Sequence, residues 1–315
     1  MEYYLDPAVK AVETACGVCR KIQSQLVHED TLIKKDRSPV TIADYASQAI
    51  ICRILNQHFP HIPIVGEEES SSLEDPKNLN MLDKISSFLP DRTKTEIIKS
   101  IDLGNGAAQN LFWTLDPIDG TKGFLRNQQY AVALALIENG RVILGVLGCP
   151  NLHLNGGADG SIFYASRQAG AFAKKFGNEK NYHLKVSQNS GNDEIRFLES
   201  VESAHSDYER QSKVMQNFGD NYKAVQYDSQ VKYAVLAQGA ADVYLRLPNP
   251  ATPDYREKIW DHAAGVAIIT EAGGIATDMY GRKLDFSAGK KLSNNTGVVV
   301  SNGRIHDRII NLLSA

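Results

Sequence analysis

The sequence predicts an α/β protein of two unlike halves: an α+β N-terminal half with an antiparallel sheet, then an α/β C-terminal half. Three observations carry this. Helical periodicity dominates the opening of the chain. Apolar strands then follow one another across short turns between about 111 and 174. Beyond about 194, strands and helices alternate. At 315 residues the chain can bury a large core, and 1–194 and 195–315 are the expected domains. Its 43% hydrophobic and 23% charged content is that of a globular protein. A net charge of -3 marks neither a nucleic-acid-binding nor a membrane surface. Met1 to Asp6 is short and polar and no apolar run could span a bilayer, so a cytoplasmic protein without a leader is expected; a monomer is expected as well.

The elements follow in order. Asp6-Pro7 starts a first helix. Its rhythm of Val9, Val12, Cys16, Cys19, Ile22 and Leu26 turns both cysteines of a C-x-x-C inward. Only Cys52 and Cys149 remain, so no second pair completes a zinc site; all four read as small buried hydrophobes in a reduced, intracellular setting. Thr41 caps a second helix that Ala46, Ala49, Ile50 and Ile54 carry to about Phe59, before Pro60. A short apolar strand from Ile62 breaks at Gly66 into Glu67-Glu68-Glu69. A polar insert, 70–110, holds weak helical stretches at Leu79–Phe88 and Lys94–Ile101. Leu111 to Leu115 is a strand, and Asn139-Gly140 between Ala131–Glu138 and Arg141–Cys149 signals a tight hairpin. Ser161–Ala165 and Gly170–Lys174 extend that sheet. Then come a strand at Phe197–Val201, a helix near Tyr208–Phe218, a segment Lys232–Gln238 capped by Gly239, and a strand at Asp242–Leu247. Asp261 opens a helix that stops at Gly273-Gly274. No internal repeat or low-complexity tract is visible.

The chemistry concentrates in Asp116-Pro117-Ile118-Asp119-Gly120-Thr121. Pro117 stiffens the strand end and Gly120 permits a sharp turn, so two carboxylates, the Ile118 carbonyl and the Thr121 hydroxyl share one rim. Hard oxygen ligands held rigidly suit Mg²⁺, which takes one or two carboxylates and completes its shell with water and phosphate. Taken alone, Asp-Pro-x-Asp-Gly is also a common surface turn. Asp44 and Asp261 each have an alternative as helix-capping acids, and the run at Glu67 as a solvated loop. Together, acids at element ends in four separate places fit a metal site assembled from distant segments.

The set Asp44, Gly66-Glu67-Glu68, Asp116 to Thr121 and Trp260-Asp261-His262-Ala263-Ala264-Gly265 resembles the Mg²⁺-dependent, lithium-sensitive phosphatases of the inositol monophosphatase type. Ser38 to Thr41, Val201 to His205, Asp228 to Tyr233 and Ala241 to Pro248 are similar to the bisphosphate nucleotidase branch. The resemblance spans about Leu5 to Ile310 and implies αβαβα layers with an active site where the halves meet.

It further implies hydrolysis of the 3'-phosphate of 3'-phosphoadenosine 5'-phosphate, and of its phosphosulfate form, with two or three Mg²⁺ and inhibition by Li⁺. Glu67, Asp116 and the Ile118 carbonyl would hold one ion, and Asp116, Asp119 and Asp261 the second. Asp44 and Thr121 would activate water. Thr121, His205, Ser229, Lys232, Arg246 and Asp261 would meet the nucleotide, with Glu68 either behind the ion ligands or solvated, and Glu69 on the surface. Alternatively, Lys232 is a solvated helix residue and Arg246 an edge-strand charge. An inositol polyphosphate 1-phosphatase and a non-catalytic metabolite-binding protein are the other readings of the whole.

Overall fold

Alternation of apolar side chains along the strands sorts the chain into stacked layers. The computed structural model describes residues 2–25, 31–33, 39–73, 75, 78–154, 159–201 and 207–314. The first half runs α1 (Glu2–Gln25), β1 (Thr31–Ile33), β2 (Pro39–Thr41), α2 (Ile42–His58), β3 (Ile64–Gly66), α3 (Leu79–Phe88) and α4 (Lys94–Asp102). Next come β4 (Leu111–Asp119), α5 (Thr121–Leu125), β5 (Ala131–Glu138), β6 (Arg141–Cys149), β7 (Ser161–Ser166), β8 (Gly170–Lys175) and β9 (Tyr182–His183). The second half has β10 (Ile195–Glu199), α6 (Tyr208–Gln216), β11 (Tyr222–Gln226), α7 (Val231–Ala237) and β12 (Val243–Arg246). It ends with α8 (Ala263–Glu271), β13 (Ile275–Thr277), β14 (Val298–Ser301) and α9 (His306–Ser314).

Strands β3 to β9 form a seven-stranded sheet in chain order, and a five-stranded sheet has the order β11-β10-β12-β14-β13. Val132, Leu134 and Leu136 of β5 face the cluster built with α1 and α2. Their neighbours Ala131, Ala133 and Ala135 face the cluster that holds α7 and α8. On the second sheet, Tyr244, Val298 and Val300 join that middle cluster. Val243, Leu245 and Val299 instead meet Val214 of α6 and Ile309 and Leu313 of α9. The layers are therefore α1/α2, sheet, α7/α8, sheet, α6/α9, the αβαβα order that the resemblance implied. No helix among the described residues is long and apolar enough to cross a membrane.

The two inner contacts of the first sheet are made at glycine. A Cβ at Gly148 would lie 2.3 Å from the Cys16 sulfur, so α1 rests on bare backbone there. At Gly145 it would lie 2.5 Å from the Ala264 carbonyl oxygen, on the side of α8. All four cysteines are buried and free, and burial pushes their thiols up, which makes them apolar packing groups.

Several boundaries differ from the sequence reading. Helix α1 begins at Glu2 and carries Pro7 inside it. Tyr3 and Tyr4 pack their rings on Phe59, each with centroids 5.2 Å apart, and these contacts outweigh the one hydrogen bond that proline removes. Strand β11 was not anticipated: Tyr-Lys-Ala-Val-Gln has no clean apolar alternation, and it forms an edge, parallel to β10. Helix α8 starts at Ala263 rather than Asp261, with His262 as its cap residue. The Asn139-Gly140 hairpin forms as expected, with φ of 49° and 73°.

Replacing Gly145 by valine should push α8 off the sheet and destabilise the protein by about 1–3 kcal/mol, the usual range for overpacking. Urea unfolding measures this, and an unchanged midpoint would show that α8 retreats without cost.

Candidate active site

Pro117 interrupts the ladder at the end of β4, which the sequence reading had ended at Leu115. Asp116 lies opposite Ala133 and Asp119 opposite Ala131, so β4 carries one more residue than β5 here and bulges. The Ile118 N–H turns to the Asp116 carboxylate, 3.1 Å from Oδ1. Gly120, with φ 89°, then swings the chain into α5 and presents Thr121.

Helix α2 braces this rim from behind. Oδ2 of Asp44 accepts both the backbone N–H and the hydroxyl of Thr41, at 2.8 and 2.7 Å, closing a capping box. Oδ1 of the same carboxylate faces the Thr121 hydroxyl at a long 3.5 Å, and that hydroxyl also reaches the Ile118 carbonyl at 3.2 Å. The capping role and the role beside Thr121 are thus filled by two oxygens of one side chain. Ser47 donates to the Pro117 carbonyl at 2.9 Å. Gln48 clamps the acidic run: its amide donates to the Glu68 carbonyl at 2.6 Å and accepts from the Glu68 N–H at 3.1 Å. The Glu67 N–H is held by Leu115 of β4. Glu68 is buried, whereas Glu69 is exposed, as expected.

Across the cleft the second half supplies the rest. The Gln230 N–H donates to Asp119 Oδ2 at 2.6 Å. Lys232 is not solvated; it is buried, donates to the Tyr227 carbonyl at 3.1 Å and lies over the Tyr244 ring. Nor is Arg246 on an edge strand. β12 sits between β10 and β14, and the Arg246 guanidinium pairs with buried Glu257 at 3.0 Å. Burial alone would raise Glu257, but Arg246 and His262 outweigh it and hold its carboxyl at about 2.

One cleft of about 460 Å³ is lined by Glu67, Asp116, Ile118, Asp119, Thr121, Ser229, Lys232, Arg246 and Asp261. Asp44 stands behind Thr121. His205 lies outside the described residues, with most of the Val201 to His205 stretch and with Ser38. Gln48, Gln230 and Glu257 escaped the sequence reading. The available signal was a polar residue at a buried position within an apolar run, as with Gln48 between Ala46 and Ala49.

The electrostatics of this cluster call for a cation. Burial pushes the Asp116 carboxyl well above the usual carboxylate range, and Glu67, Asp119, Asp261 and Asp44 push the same way. Asp261 is raised by burial, then by Asp119 and Glu67. Asp119 is raised by burial against the pull of Lys232 and the Gln230 N–H. Among the described residues no three acid, histidine or cysteine side chains are drawn close enough to enclose one ion. Like charges hold such groups apart, and Mg²⁺ needs only one or two carboxylates with carbonyl and water oxygens. His262 also lines the cleft, but its two ring nitrogens are engaged by Tyr233 and Glu257; the remaining donors, carboxylates and a carbonyl, fit a hard divalent cation.

Because the folded pKa of Asp116 lies above its unfolded value, its ionised form opposes folding. The cost is nil below about pH 4, where the carboxyl is protonated in both states, and appears as pH rises toward neutral. With chelator present, Asp116→Asn should melt with wild type near pH 4 and increasingly above it toward pH 7. Mg²⁺ should raise the wild-type Tm far more than that of the variant. Parallel melting curves at every pH would show that the cluster carries no net repulsion.

Comparison with known proteins agrees with this geometry. The inositol monophosphatase family matches residues 1–315. A 3'(2'),5'-bisphosphate nucleotidase of Dictyostelium discoideum is 43% identical over 96% of this chain and 93% of its own length. Bisphosphate nucleotidase 1 of Arabidopsis thaliana is 40% identical, with coverage of 96% and 93%. Among solved structures, an IMPase of Thermotoga maritima has the same fold, with a TM-score of 0.69 at 22% identity, covering 98% of this chain and 96% of the other. CysQ of Bacteroides thetaiotaomicron gives a TM-score of 0.65 at 20% identity, with coverage of 96% and 99%. The chain belongs to the inositol monophosphatase family.

Proposed function

We propose that this protein is a phosphomonoesterase that removes the 3'-phosphate of 3'-phosphoadenosine 5'-phosphate, giving AMP and phosphate, and that it also acts on the phosphosulfate form. One observation carries the reading: a single cleft combines a buried acid cluster with two largely buried cations, Lys232 and Arg246. A substrate with one phosphate to cleave and another to hold needs both. The relatives named 3'(2'),5'-bisphosphate nucleotidase, 38–43% identical over nearly the whole chain, support the same substrate. We take 1–194 and 195–315 as its two domains, because the cleft draws Asp116 from one and Asp261 from the other.

Glu67, Asp116 and the Ile118 carbonyl would hold one Mg²⁺, and Asp116, Asp119 and Asp261 a second; Li⁺ would inhibit there. Bound there, the cations would acidify water and neutralise charge on the phosphoryl group and its leaving oxygen. The chain's own groups do the rest. Thr121 has one hydroxyl proton and two acceptors, the Ile118 carbonyl at 3.2 Å and Asp44 Oδ1 at 3.5 Å; with that carbonyl holding a cation, Asp44 would be left to receive the proton. A threonine whose proton points to Asp44 turns its lone pairs to the cleft, where it orients and deprotonates the attacking water. Asp44 can accept only with Oδ1, because Thr41 occupies Oδ2. Arg246 grips the remote phosphate with its orientation fixed by Glu257, and Lys232 adds a charge-assisted hydrogen bond. Ser229 and His205 would complete the nucleotide contacts.

Asp44→Asn and Thr121→Ala should each lower kcat by about 10²-fold or more with KM little changed, since both act on the water. A rise in KM alone, from steady-state kinetics, would confine Asp44 to capping α2.

Lys232→Met keeps the buried stem and removes the charge. KM for the bisphosphate should rise about tenfold or more, at about 1.5–3 kcal/mol for a charged hydrogen bond, and that for 3'-AMP much less. An equal loss for both would sink the phosphate-holding role. Burial also pulls the Lys232 pKa down to about 8 in the free protein, against the pull of Asp119. Its charge is therefore present below that pH and lost above it. The preference for the bisphosphate over 3'-AMP, measured as a ratio of kcat/KM, should fall as pH passes upward through about 8.

A further inference from the structure

Gln230 touches both carboxylate-bearing segments of the second cation set without lining up as a ligand itself. Its backbone N–H donates to Asp119 Oδ2 at 2.6 Å. Its side-chain amide donates to the Trp260 carbonyl at 2.8 Å and accepts from the Gly265 N–H at 3.0 Å. Those two bonds span the turn that carries Asp261. Both are buried, where a hydrogen bond is stronger than in water. The residue before it is held equally firmly. Ser229 has φ 62°, a left-handed conformation that points the next N–H at Asp119. A Cβ on Gly120 would come within 3.0 Å of the Ser229 Cβ, so the two turns interlock.

The covalent paths between these carboxylates are long and run through both sheets, whereas the route through Gln230 is a few bonds. Asp119 and Asp261 repel one another. Lys232 attracts Asp119, and a neutral amide can hold the two segments in one frame without adding to the cluster's charge.

We infer that Gln230 is a positioning residue that fixes Asp119 relative to Asp261 and so sets the affinity of the cleft for its divalent cation. This rests on the cation reading above. The side chain makes no bond to the nucleotide-holding groups Lys232 and Arg246.

The test is Gln230→Met, which keeps length and volume but can form neither bond, beside wild type and Val235→Ala, a packing change elsewhere on α7. Thermal melting is followed through a Mg²⁺ titration, and phosphate release through the same titration. Wild type and Val235→Ala should share one half-saturating Mg²⁺ concentration. For Gln230→Met it should rise about 10–100-fold in both readouts, the usual cost of losing an outer support. Excess Mg²⁺ should restore kcat, and the nucleotide KM measured there should be unchanged. A Gln230→Met protein that melts lower in chelator but keeps the wild-type half-saturation would overturn the inference and leave the cation reading intact. Wild type with neither a Mg²⁺-dependent melt nor Mg²⁺-dependent activity would bring down the cation reading, and the inference with it. Hydrogen exchange on the wild type needs no variant: Mg²⁺ should slow exchange of the Gly265 N–H, and no change there would overturn the coupling.

Discussion

Concentrating negative charge in a buried place is the constraint on which the rest of this molecule depends. Asp116, Asp119 and Asp261 are all desolvated, and neighbouring carboxylates push Asp116 and Asp261 up further, while Lys232 draws on Asp119. Left to local forces they would turn outward to water. They are kept inward by backbone and neutral side chains that have little freedom of their own: a proline at the strand end, Ser47 and Gln48 on α2, and the Ser229-Gln230 turn on the opposite wall. None of these adds charge. The cluster is held by geometry, and its electrostatic cost is left for a cation and a phosphate to offset.

The layers serve that arrangement. Helix α2 is buried around most of its circumference, with apolar groups facing the sheet and Ser47, Gln48 and Asp44 facing the rim. Small residues in β5 and β6 let α8 settle close to the first sheet. That close seat brings the turn carrying Asp261 up to Gln230 and within reach of Asp119. Stability of the middle layer and placement of the second carboxylate set are therefore one problem, which explains why a glycine in a strand far from the rim belongs to the same design.

Much of this was legible in the sequence because it depends on short-range rules. The Asn139-Gly140 turn, the Thr41 cap and the glycine stop after α8 are local, and the strands with clean alternation fell where expected. Asp116, Asp119 and Thr121 were readable because proline and glycine bracket them. Three things were not. Strand β11 is an edge whose sequence carries no periodic signal. The start of α1 is decided by tyrosine rings on Phe59 rather than by Asp6-Pro7. Gln48, Gln230 and Glu257 act only on partners brought near by the fold, and an isolated glutamine or glutamate gives no hint of which carbonyl or guanidinium it will meet.

The bulge at Pro117 settles a matter of parity. Side chains three apart on a regular strand point to opposite faces, so Asp116 and Asp119 would be separated by the sheet itself. Their partners Ala133 and Ala131 are two apart and both face the middle layer. The extra residue in β4 adds the odd step that brings both carboxylates round to that face. Spacing in the primary sequence is thus a misleading guide to which acids can share an ion, because the count along the chain and the count along the sheet differ by one. Straightening the bulge at constant length, with the three-residue spacing kept, would send one carboxylate to the side of α1 and α2, into apolar packing, while leaving the composition of the motif intact.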